Sequence, residues 1–190
     1  MISSENIQDK LGTGITPEAF MEKMKDDYRR QLDEWHGLFT WNEHGAAALE
    51  PLQHRNDLRC AILAGDWCPD VHRNFGPALE VMKQAGIPVE VFIMEQHDNL
   101  MEHFQTMGGR SVPKVILTNS GGDVLFSWGP RPAYIQEPMA SYKRSSFAPG
   151  DPEAEVAKKA AYKGVQARYG SGSNYQKLVV YELTNQLLQL

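Results

Sequence analysis

A mixed α/β fold, with a central sheet flanked by helices, is predicted by three features of the sequence. Cys60-Ala61-Ile62-Leu63-Ala64-Gly65 is a short, wholly apolar run, the pattern of a central strand buried on both faces. Two further strand-like runs, Val89–Met94 and Lys114–Thr118, follow at intervals filled by helical patterns. A Gly121-Gly122 turn then joins the third run to a return strand over Asp123–Trp128, as in a hairpin. The order strand, helix, strand, helix, strand, strand requires parallel and antiparallel pairs in one sheet.

Ahead of the sheet, residues 1–15 are polar and contain Gly12 and Gly14, which predicts a loose lead-in. Thr16-Pro17-Glu18 is a helix start: a capping hydroxyl, a proline at the first helical position and an acid in the first turn. Phe20, Met24, Tyr28 and Leu32 recur every fourth residue and predict one helix to about Leu38. A second helix is expected over Glu43–Gln53, against the resistance of Gly45 and Pro51. Pro69–Ala85 reads as a helix with Phe75, Leu79 and Met82 inward, kinked at Gly76-Pro77 and ended by Gly86 and Pro88. Asp98–Met107 reads as a short helix stopped by Gly108-Gly109.

Beyond Gly129 the chain changes character. Prolines at 130, 132, 138, 149 and 152 predict a linker-like or surface-wrapping stretch over 130–152. Pro152–Tyr169 then reads as a helix and Gly170–Ser173 as flexible. Tyr175–Leu190 reads as a last helix with Leu178, Tyr181, Leu187 and Leu188 apolar. The domain plan is a helical extension over 1–57, a core over 58–130, and a C-terminal linker and helices over 131–190 packed on the same domain.

Composition narrows the function classes. The 190 residues carry a net charge of −5 with no basic block, so no nucleic-acid footprint is visible. No apolar run reaches the roughly 20 residues of a membrane helix, and the N-terminus lacks a basic region followed by an apolar one. A cytoplasmic protein is the expectation. Cys60 and Cys68 are the only cysteines, which excludes a disulfide scaffold and an intrachain four-cysteine metal site. His97 and His103 stand six apart, the wrong spacing for one helical face, and His36, His44 and His54 form no ligand pattern. No metal and no tightly bound cofactor are expected.

The strand Ala61–Leu63 followed by Asp66-Trp67-Cys68-Pro69-Asp70 resembles the active-site entry of thioredoxins, whose pattern is Trp-Cys-x-x-Cys at a strand-to-helix junction. Arg110-Ser111-Val112-Pro113-Lys114 resembles their cis-proline segment, with Pro113 forty-five residues after Cys68. Arg73-Asn74, Gly108-Gly109 and Trp128-Gly129-Pro130-Arg131-Pro132 narrow the match to a bacterial thioredoxin-like subfamily with an N-terminal helical extension. The resemblance implies a thioredoxin fold with helical extensions at both ends, a cis Pro113 beside Cys68, and a Val112 backbone open to an extended substrate. Trp67 would cover the site as a partly exposed platform. Pro69, Asp70, Val71 and Arg73 would line it, and Arg110, Lys114 and Arg131 would hold the carboxylates of an anionic thiol.

One departure changes the chemistry. Val71 stands where the family has its second cysteine. Dithiol exchange needs a resolving thiol to release the mixed disulfide. Cys60 lies eight residues back, roughly 20 Å along an extended strand, whereas a disulfide needs Cα atoms within about 7 Å. A family acid in the preceding strand is replaced by Ile62. A helix start favours thiolate at Cys68, His72 and Arg73 could add to it, and Asp66 and Asp70 oppose it. A shared iron–sulfur centre would need an outside thiol ligand, and Cys68-Pro69-Asp70-Val71 does not match that motif closely. Two readings remain open. One is a monothiol thiol–disulfide oxidoreductase in which Cys68 attacks a disulfide-bearing protein or low-molecular-weight disulfide, with glutathione or bacillithiol as the resolving co-substrate. The other is a non-catalytic thioredoxin-fold binding module that keeps an ancestral cysteine. Oligomeric state is not legible.

Overall fold

The computed structural model describes residues 5–41, 43–148 and 150–190. Met1–Ser4 of the lead-in and Pro149 of the proline-rich stretch lie outside these, as does the side chain of His44. Four strands form one sheet: β1 (Leu58–Ala64), β2 (Val89–Ile93), β3 (Lys114–Asn119) and β4 (Val124–Trp128), in the order β2-β1-β3-β4. β1 runs parallel to β2, with Cys60 opposite Val89 and Ala64 opposite Ile93. It runs antiparallel to β3, with Leu58 opposite Asn119 and Leu63 opposite Lys114. β3 and β4 form the expected hairpin, with a register shift between Leu117 and Thr118. The apolar run in β1 is buried from Cys60 through Ala64, as a strand covered on both faces requires.

The lead-in is not loose. Ile7 is buried and its N–H donates to the Gly122 carbonyl at 2.9 Å. Val124 N–H donates to Glu5, and Ile15 and Val91 exchange backbone bonds at 3.0 and 2.8 Å. The segment thereby meets β4 at one end and the free edge of β2 at the other, which blunts both edges of the sheet. Gly122 holds φ +84°, and a Cβ there would lie 2.4 Å from Gln8 N, so this turn needs glycine for the lead-in to pass.

The first predicted helix is two, α1 (Pro17–Lys23) and α2 (Asp26–His36). Met24 and Lys25 are extended, with ψ of 147° and 142°, and Asp26 and Asp27 supply acids to a fresh helix start. Phe20, Met24 and Leu32 are all buried, so the apolar spacing is that of one continuous stripe although the backbone breaks beneath it. The second predicted helix is α3 (Glu43–Leu49) followed by a 3₁₀ turn over Glu50–His54, where Pro51 sits in the first turn and costs no donor bond.

Helix α4 (Pro69–Gln84) runs unbroken through Gly76-Pro77. Gly76 serves the packing of α2: a Cβ there would lie 2.7 Å from His36 Cγ, and His36 Nε2 lies 2.9 Å from Glu80 Oε1. Helix α5 (Asp98–His103) ends earlier than expected, and Met107 and Gly108 adopt positive φ beyond it.

The proline-rich stretch contains a helix that the punctuation hid. Helix α6 (Ala133–Arg144) carries Pro138 inside it and buries Ile135 and Met139. It packs against α7 (Pro152–Tyr169), whose N-cap Asp151 accepts from Glu153 N–H at 2.8 Å. Helix α8 (Gln176–Leu187) packs on α4 and α3. Its buried face is Val179, Val180, Leu183 and Leu187, whereas Tyr181 and Leu188 are exposed, so the predicted stripe is rotated. Glu182 fixes the extension to the core: one carboxylate oxygen accepts from Trp128 Nε1 at 2.7 Å, the other from Ala133 N–H at the start of α6 at 2.8 Å. Among the described residues, no helix is long and apolar enough to cross a membrane.

Candidate functional site

Cys68 is the N-cap of α4, where the chain turns from β1 into the helix. Its backbone N–H donates to the Gly65 carbonyl at 3.1 Å, and its own carbonyl accepts from Val71 and His72. The thiol Sγ donates to the Val112 carbonyl at 3.2 Å, and the Val112–Pro113 peptide bond is cis. The sheet brings these two segments together because β1 and β3 are adjacent and antiparallel, with Leu63 opposite Lys114. Gly129 closes the arrangement from β4. Its φ is +112°, and a Cβ would lie 2.2 Å from the Pro113 carbonyl oxygen, so only glycine permits that approach.

The site is more closed than the resemblance implies. Cys68 is 8% exposed, Val112 2% and Val71 fully buried. The Val112 carbonyl, where the resemblance implies pairing with an extended substrate, accepts from the thiol. Trp67 and Pro69 are the exposed members. Trp67 is 47% exposed and donates from Nε1 to Glu95 Oε1 at 2.5 Å, which holds the ring as a platform beside the cysteine.

The electrostatic contest at Cys68 goes against thiolate. Burial pushes the thiol up from its ordinary pKa, and Asp70 adds to it; the Val71 and Asp70 backbone N–H groups and Arg131 pull the other way without prevailing. The helix-start advantage is real but smaller than the cost of desolvating a charge. His72 and Arg73 find partners away from the thiol. His72 is buried with Nε2 2.5 Å from the Asp66 carbonyl and its ring stacked on Tyr28. Asp66 turns its carboxylate to the Lys25 N–H at 3.4 Å.

The four cations expected at the site are separately engaged. Arg73 lies over Trp35 at 3.9 Å, Tyr169 at 4.8 Å and Tyr175 at 5.6 Å, inside an aromatic cage. Arg110 pairs with Asp98 at the surface. Lys114 is buried, donates to Thr106 Oγ1 at 2.7 Å and the Gly129 carbonyl at 2.9 Å, and burial pushes its pKa down to about 8. Arg131 pairs with Asp70, with side-chain exposures of 9% and 15%. They do not converge on Cys68 as a free cationic cluster; Arg131 alone among them acts on the thiol's charge.

Sequence reasoning missed the residues that bind the C-terminal helices to the start of α4. Tyr169, at the end of α7, donates to Asp70 Oδ1 at 2.7 Å and accepts from Asn74 Nδ2 at 2.7 Å. Asn74 also donates to the Pro130 carbonyl at 3.0 Å. Tyr175 donates to the Arg73 carbonyl at 2.9 Å. A polar network therefore joins the first turns of α4 to the C-terminal helices. The only sequence signal for it was the pair of tyrosines flanking Gly170–Asn174. Cys60 is free and 1% exposed, and burial raises its thiol pKa strongly; it packs as a small apolar residue in β1. Among the described residues, no group of three or more His, Cys, Asp or Glu side chains could hold a metal ion.

A family model described as thioredoxin matches residues 14–144. Among solved structures, a Pseudomonas aeruginosa protein of unknown function superposes with a TM-score of 0.63 at 14% identity, covering 96% of this chain and 97% of that one. An HIV epitope-scaffold superposes with a TM-score of 0.62 at 11% identity, covering 98% and 99%. At such identities the likeness speaks to the fold, and it takes in the helices at both ends. No curated protein matches the chain.

Proposed function

Because the chain belongs to the thioredoxin family and sets Cys68 at the start of α4, we propose that it exchanges disulfides through a single thiol, Cys68, resolved by a low-molecular-weight thiol from outside the chain. The observation that carries this reading is the Cys68 Sγ at the start of α4, 3.2 Å from the carbonyl that precedes cis Pro113. Deprotonated Cys68 attacks one sulfur of a disulfide, forming a mixed disulfide and releasing the other half as a thiolate. A second thiol, glutathione or bacillithiol in class, then attacks the substrate-side sulfur of the mixed disulfide as its thiolate, leaves joined to that sulfur in a new disulfide, and returns Cys68 as thiolate, which takes up a proton. With Val71 in place of a resolving cysteine, the second step comes from solution. The raised thiol pKa supports slow exchange at neutral pH that quickens as the solution becomes alkaline.

A second reading, a non-catalytic binding module, is favoured by one observation: Val112 is buried and its carbonyl is occupied. Intact-mass measurement separates the two. After oxidised glutathione or bacillithiol disulfide is added, the monothiol reading expects one adduct on Cys68, reversed by the reduced thiol and absent in Cys68→Ser. No adduct at any pH where the protein stays folded leaves the binding-module reading standing.

A further inference from the structure

A pocket of about 260 Å³ lies between the loop over residues 106–111 and helices α6 and α7. Its wall carries four cations, Arg110, Arg131, Lys143 and Lys158, and none of its described lining residues is an aspartate or glutamate. That is a sharp local reversal in a chain whose net charge is −5. Two of the four are compensated from outside the pocket: Arg131 by Asp70 and Arg110 by Asp98. The structure shows no ion pair or hydrogen bond for the side chain of Lys143 or of Lys158 among the described residues. Lys143 is nonetheless brought to the loop, since a Cβ on Gly109 would lie 3.9 Å from its Nζ. Like charges gathered in a concave site raise the potential there and favour a counter-ion of opposite sign.

A second feature also points to a ligand. Arg131, with its side chain 9% exposed, has a buried Nη1 without a hydrogen-bond partner, and Gln136 Oε1 in the same wall is likewise buried and unpartnered. Unspent polar groups on residues that line a cationic pocket are costly unless something completes them. Tyr162, half exposed on α7, adds an aromatic rim. The cavity is slightly smaller than the usual range for small-molecule sites, which starts at about 300 Å³, so its occupant is compact.

We propose that this pocket binds a small, soluble organic or inorganic polyanion, with phosphate or carboxylate groups held by Lys143 and Lys158 against the Arg110 and Arg131 wall. The site is built by the C-terminal helices, and it does not depend on the thiol chemistry of Cys68. Guanidinium groups set a planar back wall and the two ammonium groups supply the net positive charge.

Titration calorimetry with pyrophosphate and with citrate tests it at low salt on the full chain. Expected is saturable binding at one site that weakens as salt rises. A double Lys143→Met, Lys158→Met variant should lose affinity about tenfold or more. Both lysines are exposed, so an unchanged circular dichroism melt confirms that the variant is folded. Cys68→Ser should bind as the wild type does, which keeps this result separate from the fate of the monothiol reading. Absence of saturable binding for both probes overturns the proposal, as does equal affinity in the double variant. Binding only to an acidic peptide, and to neither small anion, also overturns it.

Discussion

Arg131 reaches from the loop after cis Pro130 to Asp70 in the first turn of α4, two residues after Cys68, and the two side chains form a nearly buried ion pair. The pair acts on the thiol with opposite signs: Asp70 raises its pKa and Arg131 lowers it.

Breaking the pair from either side should therefore give opposite changes in reactivity. Asp70→Asn should lower the Cys68 pKa and speed alkylation at neutral pH; Arg131→Met should raise it and slow alkylation. Both should destabilise the fold, Asp70→Asn by about 3–5 kcal/mol because it strands a buried guanidinium. Rates of iodoacetamide reaction against pH, with urea unfolding in parallel, measure the two effects. Reactivity that shifts the same way in both variants would show that loosening, not charge, controls the thiol.

Val71→Cys should create a dithiol. Residues three apart on a helix bring their Cβ atoms to about 5–6 Å, close enough for a disulfide after a small adjustment of the first turn. Val71 is fully buried, so losing its branched side chain should cost about 1 kcal/mol. The variant should oxidise to an intramolecular bond with Cys68, seen as loss of two free thiols; its mixed disulfide should be resolved within the chain, and an added thiol should then be needed only to reduce the new disulfide for the next cycle.

Lys114 gives the fold a pH dependence on the alkaline side. Its folded pKa of about 8 lies below the ordinary lysine value of about 10.4. Below pH 8 both states are protonated and the cost of the buried charge is fully present. Between about pH 8 and 10.4 the unfolded chain holds more protons, so stability rises with pH, by up to about 1.4 kcal/mol per unit. Lys114→Met should lack that rise when unfolding is measured at both ends of the window.

Tyr169→Phe removes one hydroxyl that serves both Asp70 and Asn74. Leaving those buried groups short of a partner should cost about 1–3 kcal/mol. The same change at the half-exposed Tyr162 should cost almost nothing, and thermal melts of the two variants make the comparison.

The sheet was legible because its signals are local. A run such as Cys60–Ala64 reports burial on both faces without knowledge of its neighbours, and the Cys68 and Pro113 segments carry their own pattern. What was not legible depends on contacts distant in sequence. Helix α6 was hidden by Pro132 and Pro138, although Ile135, Met139 and Tyr142 keep helical spacing. The break at Met24-Lys25 leaves no mark on the apolar stripe, because the stripe follows the core and not the backbone bonds. Arg73 and Arg131 read as free cations because their partners are distant in sequence: Trp35 of α2, Tyr169 of α7 and Tyr175 of the loop before α8 for Arg73, and Asp70 of α4 for Arg131. The balance of charges at Cys68, open in the sequence, is decided by burial, which raises the thiol pKa.

The central claim is that Cys68 turns over disulfides with an outside thiol. Its most direct test is thiol-dependent reduction of hydroxyethyl disulfide, with glutathione and with bacillithiol, by the wild type and Cys68→Ser. The expected result is turnover with at least one of the two thiols that rises with thiol concentration and with pH and disappears in Cys68→Ser. Rates equal to the Cys68→Ser background with both thiols would contradict it.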